Sequence, residues 1–259
     1  MSRERRGMLS ELLFGGGSGG GSGGNEDAII ERTITTISNS RVSTIGSYAF
    51  QNCEELTSVS FQNATTIGNN AFAYCGFTEV SFPAVTRIND GAFSACSSLQ
   101  SAYFPSAVFV GPNAFHQCKS LNTVSLPVAT TISSYAFMYC SGIENVYLPA
   151  AISIYASAFA NCTLLKTASF PSLSDISINA FAKCYNLLSL YLLGSKVCAL
   201  SSVAAFASTP ISDYTTSTGG IHGSIFVPES LYSDYIAKNN WSVYSDRFVS
   251  MTSAQIAAL

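Results

Sequence analysis

The sequence predicts a β-rich repeat solenoid of short parallel strands, closed by a small α+β cap at its C-terminal end. Three observations carry this expectation. A five-residue signature, Ala-Phe-x-x-Cys, recurs as AFQNC at Ala49, AFAYC at Ala71, AFSAC at Ala92, AFHQC at Ala114, AFMYC at Ala136, AFANC at Ala158 and AFAKC at Ala180. The phenylalanines of successive signatures stand 22, 21, 22, 22, 22 and 22 residues apart. A unit of that length cannot enclose a core of its own, so each must cover its apolar side with its neighbours.

In chain order, residues 1–14 (MSRERRGMLSELLF) come first and place Met8, Leu9, Leu12 and Leu13 on one face of a short amphipathic helix. So short a helix is ordered mainly by docking, and the expectation is attachment to a carrier assembly through residues 1–14. The basic start (Arg3, Arg5, Arg6) is followed by an apolar stretch broken at Glu11, with no small-residue cleavage site, so it does not read as a secretory signal. Residues 15–24 (GGGSGGGSGG) form a flexible tether. The G-x-S-x-G matches inside it lack the strand and helix that flank a nucleophile elbow.

Residues 25–215 are expected to form the solenoid, about eight 22-residue repeats counting an imperfect first one at Ile34–Phe50. In a typical unit Leu121, Val124 and Leu126 are apolar and Pro127 follows. Alternation at the last two apolar positions indicates one brief strand per coil, ended by a proline that cannot donate to a ladder. A second apolar point follows at Ile67, Ile88, Val110, Ile132, Ile154 and Ile176. In the signature itself, Ala permits close backbone approach, Phe stacks on the ring of the next coil, and Cys fits a tight turn. Coils about 4.8 Å apart give a body about 40 Å long.

The coil after Cys184 carries an insertion before Ala205 and Phe206, as a terminal repeat that must meet solvent would. Residues 216–259 are expected to cap it. The expectation is a strand ending at Pro228 and a helix over Glu229–Lys238 that turns Leu231, Tyr235 and Ile236 toward the last coil, with Trp241 packed beside them.

Charged residues make up 10% of the chain and the net charge is -3. Without a basic stripe, nucleic acid is not an expected partner. No run approaches the roughly 18 apolar residues that would span a bilayer. Equivalent cysteines on stacked coils point the same way, so the seven signature cysteines read as a buried thiol ladder and not as disulfides or metal ligands. Cys198, outside the ladder, is the cysteine to watch for reactivity. His116 and His222 have no repeated partner that would make either a base or a ligand, and no oriented nucleophile is visible. Neither an enzymatic activity nor a cofactor is expected.

Between the buried strand positions lie Ser60, Ser81, Tyr103, Ser125, Tyr147, Ser169 and Tyr191, one per coil. Sharing a register, they form a line on the sheet face, with alternate tyrosines about 10 Å apart. Tyr103, Tyr147, Tyr191, Ser81, Ser125 and Ser169 are the candidate ligand-binding surface, since Tyr brings a large amphipathic area at low entropy cost. A merely solvated sheet face is the other reading, because Tyr also suits strands. The loop from Tyr214 to His222 is the next candidate.

The unit C-x-x-L-x-x-V-x-L-P-x-A-T-x-I-x-x-x-A-F resembles the bacterial surface-antigen type of leucine-rich repeat, the BspA-like or Treponema type, over about residues 34–206. The tail GSIFVPESLYSDYIAKNNWSVYSDRFVSM resembles the non-repeat segment that commonly closes such proteins. The resemblance implies a right-handed solenoid of leucine-rich-repeat type with a parallel sheet on its concave side. It also implies secretion or surface exposure, and binding or adhesion rather than catalysis. The expected function is recognition of a protein or glycan on a surface, at the cell surface or within a virion. The alternative is a purely structural spacer or oligomer subunit.

Overall fold

The computed structural model describes residues 35–212 and 222–259. The expected docking helix and tether of residues 1–24 therefore lie outside the described residues.

Each coil contributes two strands, where one was expected. The first coil gives β1 (Thr36–Ser38) and β2 (Thr44–Ile45), and the second β3 (Ser58–Ser60) and β4 (Thr66–Ile67). The alternation continues through β5 (Glu79–Ser81), β6 (Arg87–Ile88), β7 (Ser101–Tyr103), β8 (Phe109–Val110), β9 (Thr123–Ser125) and β10 (Thr131–Ile132). It ends with β11 (Asn145–Tyr147), β12 (Ser153–Ile154), β13 (Thr167–Ser169), β14 (Asp175–Ile176), β15 (Ser189–Tyr191) and β16 (Ala199–Leu200). The second apolar point of each unit is the inward residue of a two-residue strand. These even-numbered strands form one parallel sheet running from β2 to β16. The odd-numbered strands pair in three parallel sets: β1-β3, β5-β7-β9, and β11-β13-β15 extended by β17 (Ser224–Pro228) and β18 (Phe248–Met251).

The third side of each coil is the signature itself, and it is neither helix nor strand. The residues two before and two after each Phe take left-handed backbone, as in Asn113 (φ 52°) and Gln117 (φ 60°) around Phe115. Alternating handedness aims every second amide along the stack. Asn113, Phe115 and Gln117 donate to the carbonyls of Ser134, Ala136 and Met138 at 3.1, 2.8 and 2.9 Å. The intervening amides close local turns, for example Cys118 N–H onto Phe115 O at 3.1 Å. The same forward-directed triplet recurs around Phe50, Phe72, Phe93, Phe137 and Phe159.

The core follows from this geometry. Phe50, Phe72, Phe93, Phe115, Phe137, Phe159, Phe181 and Phe206 stack in one column with centroids 5.1–5.7 Å apart and ring planes within 18°. Such stacking adds to the burial of each ring. The single 21-residue interval is accommodated at a corner, where Gly76 turns directly beneath the Glu54 carbonyl. A Cβ on Gly76 would overlap that oxygen, so a side chain cannot be placed there.

The cap comprises β17, a 3-10 turn at Glu229–Leu231, α1 (Tyr232–Ala237), β18 and α2 (Ser253–Ala257). As expected, Tyr235 and Trp241 are buried, and Leu231 and Ile236 pack against the core. The cap also occupies the open edge left by β16. Cys198 N–H donates to the Tyr235 hydroxyl at 2.9 Å, Trp241 Nε1–H donates to Cys198 O at 2.7 Å, and Asn240 Nδ2 donates to Leu200 O at 2.8 Å. Tyr235→Phe removes the acceptor of a buried amide. It is expected to cost about 1–3 kcal/mol in chemical denaturation, and an unchanged midpoint would mean that the cap does not seal this edge.

Candidate functional site

The candidate column lies on the odd-numbered strands. In each, the middle residue is inward and its neighbours are outward, so Val80, Ala102, Val146, Ala168 and Leu190 are buried. The last strand residue is outward by the alternation of a strand. Ser81, Tyr103 and Ser125 are register partners across β5, β7 and β9. Tyr147, Ser169 and Tyr191 are register partners across β11, β13 and β15. The column is thus carried on two separately hydrogen-bonded sets. Tyr103 and Tyr147 are 49% and 64% exposed, while Ser125, Ser169 and Tyr191 are half-buried.

The register extends past the repeats to two residues that the sequence reading did not single out. Tyr191 pairs with Phe226 of β17, and Phe226 with Val249 of β18. The Tyr191 and Phe226 rings stack at 4.5 Å with planes 11° apart. The alternation in SIFVP, with Ile225 and Val227 buried and Phe226 between them, is the signal that could have found this extension.

Over the same half of the face, α2 forms a wall. Tyr147, Thr167, Ser169, Pro171, Tyr191 and Leu193, together with Ile256 and Leu259, line an open cleft of about 420 Å³. Its polar side chains all end in hydroxyls, and no side chain in its lining is charged. The second candidate loop falls almost wholly in residues 213–221, outside the described residues; His222 itself stands two residues before the cap strand.

The signature thiols face inward. Cys75, Cys96, Cys118, Cys140, Cys162 and Cys184 each donate an S–H to the carbonyl of the signature Phe one coil back, at 3.0–3.2 Å. Burial pushes the Cys96, Cys140, Cys162 and Cys184 thiols well above the ordinary thiol range. The expectation for Cys198 is corrected. It is fully buried behind the cap, and burial, then the Asp175 carboxylate, push its thiol up as well. A thiol so placed forms little thiolate. Cys53, in the first signature, is the half-buried cysteine instead.

His116 packs edge-on against Tyr139 at 5.8 Å, and partial burial pulls its imidazole below the usual range. Among the described residues no group of three or more His, Cys, Asp or Glu side chains is placed to hold a metal ion, and no helix is long and apolar enough to cross a membrane.

The family model for the BspA-type leucine-rich repeat region matches residues 30–129 and 109–210, with six copies. No curated protein matches the chain. Among solved structures, a leucine-rich repeat protein from Bacteroides ovatus is similar at 24% identity and a TM-score of 0.56, over 76% of this chain and 56% of that one. A leucine-rich cell surface protein from Faecalibacterium prausnitzii is similar at 23% identity and a TM-score of 0.50, over 68% of this chain and 59% of that one. The chain therefore spans somewhat more than half the length of these solved relatives, and the likeness to them is one of fold. The matched repeats, the two-stranded coils and the stacked signature lead to one assignment: the chain belongs to the family of BspA-type leucine-rich repeat proteins.

Proposed function

We propose that the chain is a non-enzymatic recognition module whose outward column, Ser81 to Tyr191, binds a protein or glycan displayed on a surface. The observation that carries this reading is the column itself. Large amphipathic rings stand on a face whose other outward strand residues are mainly hydroxyl-bearing, Glu79 and Asn145 apart, with Tyr103 and Tyr147 open to solvent at 49% and 64%. A spacer needs coils that stack, and its outer face can be any solvated surface. Family membership supports an interaction role, and the cell-surface description of the Faecalibacterium relative supports a placement at the cell surface.

The test is the triple variant Tyr103→Ser, Tyr147→Ser, Tyr191→Ser. Binding to surface extracts or arrayed glycans is expected to weaken by about 2–3 kcal/mol, as it does when clustered aromatic anchors are truncated. The Tyr103→Ser and Tyr147→Ser changes should hardly move the melting midpoint, because exposed substitutions usually fall within about 0.5 kcal/mol each, and any further fall in the triple variant is assigned to the lost stack of half-buried Tyr191 on Phe226. Undiminished binding by the triple variant would remove the column as the site. A wild-type chain with no saturable ligand would favour the spacer.

A further inference from the structure

We infer that the cleft between the Tyr147–Tyr191 half of the column and α2 is a subsite for a neutral saccharide of one or two pyranose rings. The inference deepens the recognition reading and rests on it. At about 420 Å³ the cleft has the size of a small-ligand site.

Its chemistry narrows the occupant. The polar side-chain groups in the lining are the hydroxyls of Tyr147, Thr167, Ser169 and Tyr191, and the other lining side chains, Pro171, Leu193, Ile256 and Leu259, are aliphatic. An anionic ligand would lose its hydration there without gaining a counter-charge from any lining side chain, which is costly. A neutral ligand that both donates and accepts, and that also has an apolar face, meets no such cost. Serine, threonine and tyrosine hydroxyls each do both. A pyranose has the matching pattern, with hydroxyls around its rim and a C–H face that lies against an aromatic ring.

The backbone argues against an extended peptide in the same place. Peptides that join a sheet need unpaired edge amides and carbonyls. In the floor of the cleft, β13 is paired on both sides by β11 and β15, and β15 on both sides by β13 and β17. Across β13 and β15 only side chains remain to recognise the ligand, and β11, which carries Tyr147, is the edge of this set. Tyr191 is held by its 4.5 Å stack on Phe226, so one platform is set before binding. Tyr147 lies two strands away, about 10 Å along the stack, which spans roughly two sugar rings.

The experiment is calorimetric titration of the full chain with maltotriose, cellotriose, diacetylchitobiose and lactose, with sialyllactose as the anionic comparator. At least one neutral sugar is expected to bind saturably and more tightly than sialyllactose. Tyr147→Ala and Ile256→Lys should each weaken it by about tenfold or more, the effect of losing one good anchor. Tyr155→Ser, at an exposed position outside both the column and the cleft, should leave it unchanged. Tyr147 is mostly exposed, so its variant should keep the wild-type melting midpoint and remain informative even if Ile256→Lys disturbs α2.

The inference is overturned if none of the neutral sugars binds, if Tyr147→Ala binds as the wild type does, or if sialyllactose binds best. A surface protein captured through Tyr103, Tyr147 and Tyr191 while no sugar binds would leave the recognition reading standing and remove the saccharide subsite.

Discussion

Phe137→Ala is expected to destabilise the protein by about 3–5 kcal/mol, the usual cost of deleting a buried ring. Phe137 is fully buried and stacks on Phe115 at 5.2 Å and on Phe159 at 5.1 Å. Its carbonyl receives the Cys162 thiol at 3.2 Å, so the cavity would open beside the thiol ladder. In a solenoid each coil is stabilised only by its neighbours. A hole at the centre therefore weakens two interfaces at once, and coils further along cannot compensate. Guanidinium denaturation reads the loss directly, and a variant with the wild-type midpoint would refute the stacked-ring core.

An alkaline shift is expected to cost still more. The folded protein holds the protons of Cys96, Cys140, Cys162, Cys184 and Cys198 well above the ordinary thiol range, in each case chiefly because burial penalises the thiolate. The unfolded chain releases them near pH 8.5, where ordinary thiols titrate. Above that pH the unfolded state binds fewer protons than the folded one, so stability is whole below it and falls as the pH rises. The slope is about 1.4 kcal/mol per pH unit for each thiol, and five of them together remove several kcal/mol within one unit. Melting midpoints measured between about pH 7 and pH 9.5 should decline steeply over the upper part of that window, before ordinary tyrosines begin to ionise. Cys140→Ala should lower the slope by about a fifth. Alkylation of the native protein should reach Cys53 first and the other thiols only on unfolding. A flat profile together with fast labelling of all the cysteines would show that the ladder is hydrated.

The sequence was explicit where a position repeats and also alternates. The signature phenylalanines announced the ring column, and the alternation from Val124 to Leu126 set which strand residues face outward. The even-numbered strands were hidden because a two-residue strand has one inward side chain, such as Ile132, and one point cannot display a period of two. The third side was equally silent. Left-handed backbone is usually marked by glycine, yet here it falls on Tyr48, Asn52, Tyr74, Tyr135 and Lys183 and only once on glycine, at Gly91. Bonds to the next coil hold these residues in place, and such bonds leave no local mark. The cleft was out of reach for a related reason: α2 is distant in sequence from the strands it faces, so nothing in the repeat points to Ile256.

The forward direction of the third-side bonds bears on how chains of this kind change over generations. On the signature side every coil meets its predecessor with carbonyls and its successor with amides, and the pattern repeats from coil to coil, so any interior coil is complementary to any other. Duplicating or deleting a whole unit in the gene therefore creates no junction that the fold has not already solved, and copy number can drift at little cost. Drift within a unit is confined to the corners. One residue was dropped beside Gly76, and the last coil gained residues around Gly194–Lys196, between β15 and β16. A single insertion between Asn113 and Gln117 would instead reverse which amides point forward and strand the carbonyls of Ser134, Ala136 and Met138. Selection on such a chain acts gently on the number of coils and severely on the phase within each one.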